Sequence, residues 1–86
     1  MNNLKNKKVI ITGATGGIGY AITEIFVKYE ANILATGTNE EKLNNLKKRF
    51  SQIQVEKFKL DEHDKIEKFV ETIHEKLGGL DILVNN

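Results

Sequence analysis

Apolar residues in this chain follow two alternating rhythms. Short runs of strand type occur at Lys8 to Thr12, Asn32 to Thr36, Gln54 to Leu60 and Asp81 to Val84. Between them lie three longer segments whose apolar residues step by three and four, the spacing of one helix face. The first runs from about Gly17 to Tyr29, with Ile18, Ala21, Ile22, Ile25, Phe26 and Tyr29 as its stripe. The second follows Thr38-Asn39-Glu40-Glu41, a capping box of the Ser/Thr-x-x-Glu form, and presents Leu43, Leu46 and Phe50. The third is capped around Asp64 and Glu67, carries Ile66, Phe69, Val70, Ile73 and Leu77, and ends at Gly78-Gly79.

The order predicted is therefore β-α-β-α-β-α-β. Val9-Ile10-Ile11 and Ile33-Leu34-Ala35 are continuous apolar runs, as in strands buried on both faces of a parallel sheet. The third strand alternates instead, which suits a sheet edge. Right-handed crossovers then give an α/β, doubly wound parallel sheet in the order 3-2-1-4.

The first strand stops at a glycine cluster, Thr12-Gly13-Ala14-Thr15-Gly16-Gly17-Ile18-Gly19, directly before the first helix. Gly13 lets the chain leave the strand in a tight turn where φ is positive. Gly17 lets a phosphate approach the backbone, and Gly19 lets the helix pack closely on the strand it has left. The free N–H groups of the first helical turn, with the positive end of the helix dipole, make an anion site. Thr12 and Thr15 add hydroxyl donors. The spacing Gly-x-x-x-Gly-x-Gly is weak evidence alone; its strand-loop-helix setting makes it a phosphate cradle.

Composition narrows the picture mainly by exclusion. Eighty-six residues make one domain at most, and a chain so short buries only about 60–65% of its unfolded surface. With no Cys there are neither disulfides nor thiolate metal sites, and His63 and His74 are too far apart in sequence to suggest a metal constellation. His74 reads as a partly exposed helix residue. A net charge of +1 points to no nucleic-acid partner, and the twelve Lys against one Arg fall mostly on solvent faces. No apolar run reaches the roughly 18 residues of a membrane helix, and no apolar segment of leader type follows the basic N-terminus. A soluble, cytoplasmic protein without a membrane partner is expected.

Thr12 to Gly19 resembles the cofactor loop of the short-chain dehydrogenases/reductases. Leu80-Asp81-Ile82-Leu83-Val84-Asn85-Asn86 is similar to that family's fourth strand entering its Asn-Asn-Ala-Gly motif. Among subfamilies the chain looks most like the 3-oxoacyl-acyl-carrier-protein reductases of fatty-acid synthesis. The resemblance implies a Rossmann-type fold, of which residues 1–86 are the N-terminal, nucleotide-binding half. It implies a nicotinamide dinucleotide as cofactor. In the longer parent it implies hydride transfer to an acyl-carrier-protein-linked 3-oxoacyl thioester, in a homo-oligomer.

By that resemblance Gly13, Ala14, Thr15, Gly16, Gly17, Ile18 and Gly19 bind the cofactor's phosphates, and Asn86 contacts the ribose on its nicotinamide side. At the end of the second strand, where an acid would bind the ribose hydroxyls of NAD, the chain has Gly37-Thr38-Asn39. Thr38 and Asn39 donate to a 2′-phosphate and do not repel it, so NADP is favoured over NAD. No Arg stands nearby, and Gly16 occupies a position that is basic in many NADP-using relatives. The adenine position admits two registers. Counting back from Ile66 places Lys59 there with Leu60 after it, whereas the strand pattern Val55-Glu56-Lys57-Phe58 places Asp61 there. Asp61 is preferred, because the adenine amino group needs an acceptor and Lys has only donors.

The family's catalytic Asn, Ser and Tyr-x-x-x-Lys pair have no counterpart in this chain. Tyr20 is followed by Thr23 and Glu24, with no Lys at the required spacing, and Tyr29 likewise lies on the first helix. The expectation is a truncated cofactor-binding portion without turnover of its own. A non-catalytic dinucleotide-binding or sensor module, and a vestigial gene fragment, are the alternatives.

Overall fold

The computed structural model describes residues 2–59 and 66–86. A short 3-10 turn (Asn2–Leu4) leads into β1 (Lys8–Ile11), α1 (Gly17–Lys28), β2 (Asn32–Gly37), α2 (Glu40–Arg49), β3 (Gln54–Lys57), α3 (Ile66–Leu77) and β4 (Ile82–Val84). The four strands are parallel, in the order β3-β2-β1-β4. This is the doubly wound sheet that the alternation predicts.

Strand alternation divides the core between two faces. Val9, Ile11, Ile33 and Ala35 point to one side, where they meet Ile22, Phe26 and Val27 of α1, Leu46 of α2, and Phe50 and Ile53 beyond it. Ile10 and Leu34 point to the other and meet Leu77, Phe69 and Ile73 of α3. Side chains such as Ile10, Ile11, Leu34 and Leu43 are fully buried, each worth about 1.5–3 kcal/mol over exposure. Register between β1 and β4 is set at the lower end of the sheet. There the Lys8 N–H donates to Asp81 Oδ2 at 2.8 Å, and the Asp81 N–H returns a bond to the Lys8 carbonyl at 2.8 Å.

The face that α1 buries differs from the expected stripe. Gly19 and Thr23 are buried, with Ile22, Phe26 and Val27 half-buried, whereas Ile18 is 70% and Ile25 46% exposed. The helix is turned so that Gly19, which has no side chain, meets the backbone of the preceding loop. That contact sets the phase, and Ile18 and Ile25 move out of the core. Buried Thr23 satisfies its hydroxyl by donating to the Gly19 carbonyl at 2.8 Å.

Helix α2 begins one residue later than the expected capping box. Its N-cap is Asn39, whose side-chain Oδ1 accepts from the Lys42 N–H at 3.0 Å, with Glu40 and Glu41 in the first turn favoured by the dipole. Asn accepts as well as Thr at this position, so two adjacent candidates compete and the backbone turn decides. β3 ends at Lys57, short of the expected Leu60, although the Phe58 N–H still donates to the Gly37 carbonyl at 2.9 Å. Leu60 and the Asp64 cap lie outside the described residues.

On α3 the ridge Phe69-Ile73-Leu77 packs on the sheet, while Ile66 and Val70 remain exposed. β4 lies at a sheet edge with Leu83 57% exposed. An apolar strand at an open edge is a template for pairing. The 86-residue chain is expected to self-associate, and Leu83→Lys to shift it towards monomer; a monodisperse monomer in sedimentation velocity at high concentration would contradict this.

Candidate nucleotide-binding cleft

The ends of β1, β2 and β4 meet the glycine loop at one edge of the sheet. Ala14, fully buried, donates its N–H to the Thr36 carbonyl at 3.0 Å and so ties the loop to the end of β2. The Thr12 N–H donates to the Val84 carbonyl at 3.0 Å and ties it to β4. Gly13 takes the positive φ of +58° that the turn needs. A Cβ there would lie 2.9 Å from the Asn86 carbonyl oxygen, so the position is closed to a side chain on two counts.

Thr12 does a different job from the expected one. Its Oγ1 lies 3.3 Å from the Val84 carbonyl and 3.2 Å from Asn85 Oδ1, and accepts the Asn86 N–H at 3.1 Å. A hydroxyl has one proton, and both acceptors within its reach belong to the segment 84–85 at the end of β4; Thr12 orders the strand ends. Asn86 donates its side-chain N–H to the Gly13 carbonyl at 3.1 Å, which sets its amide across the mouth of the loop.

Helix α1 starts at this mouth without a side-chain cap. Its N-cap is Gly16, no side chain among the described residues caps it, and its first turn holds no acid. Helix α2 has both an Asn cap and two acids. The first-turn N–H groups of α1 thus have no intrahelical acceptor and no side-chain substitute, the arrangement that receives an anion. A Cβ on Gly17 would meet nothing within 4 Å, so the backbone there is open to an incoming group. Gly19 is the reverse case: its Cβ would run into the Gly13 carbonyl and lie 2.8 Å from Ala14 Cα.

In front of these groups is a cleft of about 500 Å³, lined by Thr12, Gly13, Thr15, Gly16, Thr36, Gly37, Thr38, Phe58 and Asn86. Of the site residues expected from sequence, Gly13, Thr15, Gly16, Thr38 and Asn86 are brought together here. Ala14 and Gly19 lie behind the cleft as supports. Gly17 and Ile18 stand at the exposed start of α1, and Asn39 caps α2. Leu60 and Asp61 lie outside the described residues. Lys59, the other candidate for the adenine position, is exposed. Neither Thr38 nor Gly37 brings a carboxylate to the end of β2.

Phe58 was not among the expected site residues. Its ring stacks on Phe69 of α3, with centroids 4.0 Å apart and planes 13° from parallel, and it also lines the cleft. In sequence it is one more apolar residue of an alternating strand, and only the pairing of its N–H with Gly37 brings it to the cleft. An aromatic wall beside a phosphate cradle suits a flat heterocycle.

The residues present fit a dinucleotide. An uncapped helix start over a glycine loop holds phosphates, Thr38 and Asn86 offer polar contacts to sugars, and Phe58 supplies an apolar wall.

Comparisons with known proteins agree with this geometry. A family model described as short chain dehydrogenase matches residues 7–86. An uncharacterized oxidoreductase of Staphylococcus aureus (strain USA300) is 33% identical, the match covering 100% of this chain and 38% of the relative. The 3-oxoacyl-[acyl-carrier-protein] reductase FabG of Thermotoga maritima is 36% identical over 96% of this chain and 35% of its own length. The crystal structure of a short chain dehydrogenase from Bacillus anthracis superposes with a TM-score of 0.88 and 38% identity, over 96% of this chain and 35% of that one. The chain thus spans a little over a third of the length of these relatives.

Proposed function

The chain belongs to the short-chain dehydrogenase family, and on that premise we propose that it is the NADP-binding portion of an oxidoreductase that reduces a 3-oxoacyl thioester. The observation that carries the cofactor reading is the cleft itself: an uncapped helix start over a glycine loop, beside a strand end that carries no acid. When bound, the dinucleotide supplies the hydride. The first turn of α1 and the glycine loop hold the phosphates, Thr38 receives the 2′-phosphate, and Asn86 orients the ribose next to the nicotinamide. Asp61 serves the adenine amino group. Similarity to the 3-oxoacyl-[acyl-carrier-protein] reductase of Thermotoga maritima supports the thioester substrate and a carrier-protein-linked acyl chain; a homo-oligomeric parent is part of the same proposal. Among the described residues no helix is long and apolar enough to cross a membrane; action in the cytoplasm is part of the same proposal.

The cofactor preference is tested at Gly37. A Cβ there would make only ordinary contacts, 3.5 Å from Leu43 and from Thr15, so the Cβ of an Asp is accepted without displacing backbone. Its carboxylate would face a 2′-phosphate; two like charges about 4 Å apart near a protein surface repel by roughly 4 kcal/mol before screening. The same group would accept the 2′-hydroxyl of NADH. Gly37→Asp is expected to weaken NADPH while sparing or strengthening NADH, read by titration with each. Tighter binding of NADH by the unsubstituted protein would overturn the NADP assignment.

A further inference from the structure

A second cavity of about 300 Å³ opens between α1 and α2, lined by Thr15, Tyr20, Lys42, Asn45 and Leu46. Thr15 also lines the nucleotide cleft, so the two spaces adjoin at its side chain. The junction is tight. A Cβ on Gly37 would lie 3.5 Å from the Thr15 methyl, 3.5 Å from its hydroxyl and 3.5 Å from Leu43 Cδ2. The glycine loop, the end of β2 and the first turn of α2 therefore touch at one point, and Lys42 is the residue before Leu43.

Among the described residues Lys42 is the only cation that lines either cavity. Its ammonium makes no ion pair or hydrogen bond with the described residues, whereas Arg49 lies by Glu24 and Lys47 donates to the Ser51 and Ile53 carbonyls. The backbone turn that carries Lys42 is held by the Asn39 cap on its own N–H. Helical side chains lean as a rule towards the helix N-terminus, which in α2 is the end that follows β2 and Thr38. Glu40 and Glu41, exposed on the same turn, line neither cavity.

We propose that Lys42 supplies the positive charge that holds the 2′-phosphate of NADP and so sets the cofactor preference of this site. The inference rests on the NADP reading above, and accounts for how a chain with Gly16 and Thr38 in place of basic residues selects a dianion. Thr15 and Thr38 donate neutral hydrogen bonds to the same phosphate, and Lys42 adds a charge-assisted one.

The test is titration of the intact protein and its variants with NADPH, NADH, adenosine 2′,5′-bisphosphate and 5′-AMP. Lys42→Met is expected to weaken NADPH and the bisphosphate by about tenfold, the scale of one charge-assisted contact, and to leave NADH and 5′-AMP within about twofold. Lys42→Arg keeps the charge and should retain the preference. Lys48→Met, on an exposed position that lines neither cavity, removes the same net charge and should change nothing.

If the unsubstituted protein prefers NADPH but Lys42→Met keeps that preference, the proposal fails and the NADP reading stands. An equal loss for both dinucleotides in Lys42→Met, or an equal effect of Lys48→Met, also overturns it. Preference for NADH in the unsubstituted protein, or binding of neither dinucleotide, overturns both readings.

Discussion

Placing a methyl group on Gly19 is expected to lower the melting temperature by about 8 °C or more, although the change favours helix formation on intrinsic grounds. Ala is better than Gly inside a helix by about 0.8–1 kcal/mol. Against that gain stands a steric conflict with atoms that cannot rotate away. The new Cβ would overlap the Gly13 carbonyl and lie 2.8 Å from Ala14 Cα and 2.9 Å from the Ala14 carbonyl carbon. Relief requires α1 to move off β1 or the loop to rebuild. Either movement disturbs the Ala14-to-Thr36 bond and the packing of Ile22 and Phe26. Overpacking of this kind costs about 1–3 kcal/mol and occasionally more, and backbone clashes belong at the upper end. Net of the propensity gain about 2 kcal/mol remains, which for a domain of this size corresponds to roughly 8–16 °C. Thermal melting of Gly19→Ala followed by circular dichroism measures it. A midpoint equal to or above that of the unsubstituted protein would mean that propensity wins and that α1 is not seated by this contact.

Two residues earlier the same experiment should give the opposite pattern. Gly17→Val adds branched carbons where nothing lies within 4 Å, and φ at Gly17 is not positive. Stability should therefore change little, with the midpoint within about 3 °C, a shift of under about 1 kcal/mol. The added carbons stand where a phosphate approaches the first turn of α1. NADPH and NADH both need that approach, so both should weaken by about 100-fold, or about 2.7 kcal/mol. Calorimetric titration beside the melting curve separates the two effects. An unaffected affinity would show that the open space over Gly17 is ordinary solvent and not a ligand seat. Loss of the fold in Gly17→Val would show that its open surroundings have been misjudged.

These two glycines sit in one short motif and are predicted to fail in different ways. Their roles follow from what their missing side chains would meet: packed backbone in one case, open space in the other. The same contrast distinguishes the helix starts. α1 begins at Gly16 with no cap and no acid, and α2 begins at Asn39 with a cap and two acids. One is left open to an anion, and the other is closed by its own side chains.

Much of this was determined by the sequence alone. Continuous Val-Ile-Ile and Ile-Leu-Ala runs specify strands buried on both faces, and periods of three and four between them specify helices. Right-handed crossovers then leave the order β3-β2-β1-β4 as the natural one. The turn at Gly13 and the close approach at Gly19 were likewise legible, because backbone geometry after a parallel strand permits few residue types there.

Tertiary structure alone decided which way each element faces and what each polar group bonds. The spacing along α1 defines a period but not its phase, and docking of Gly19 on the loop turned Ile18 and Ile25 outwards. The Thr12 hydroxyl was taken up by the segment 84–86 at the end of β4, more than 70 residues further along the chain. Asn39 outcompeted Thr38 for the cap. Phe58 reached the cleft through β2, and Lys42 came to line the second cavity, which shares Thr15 with the cleft. The physical reason is the same throughout. Local pattern encodes the preferences of each segment, whereas phase and hydrogen-bond partners depend on surfaces that meet only when distant segments pack.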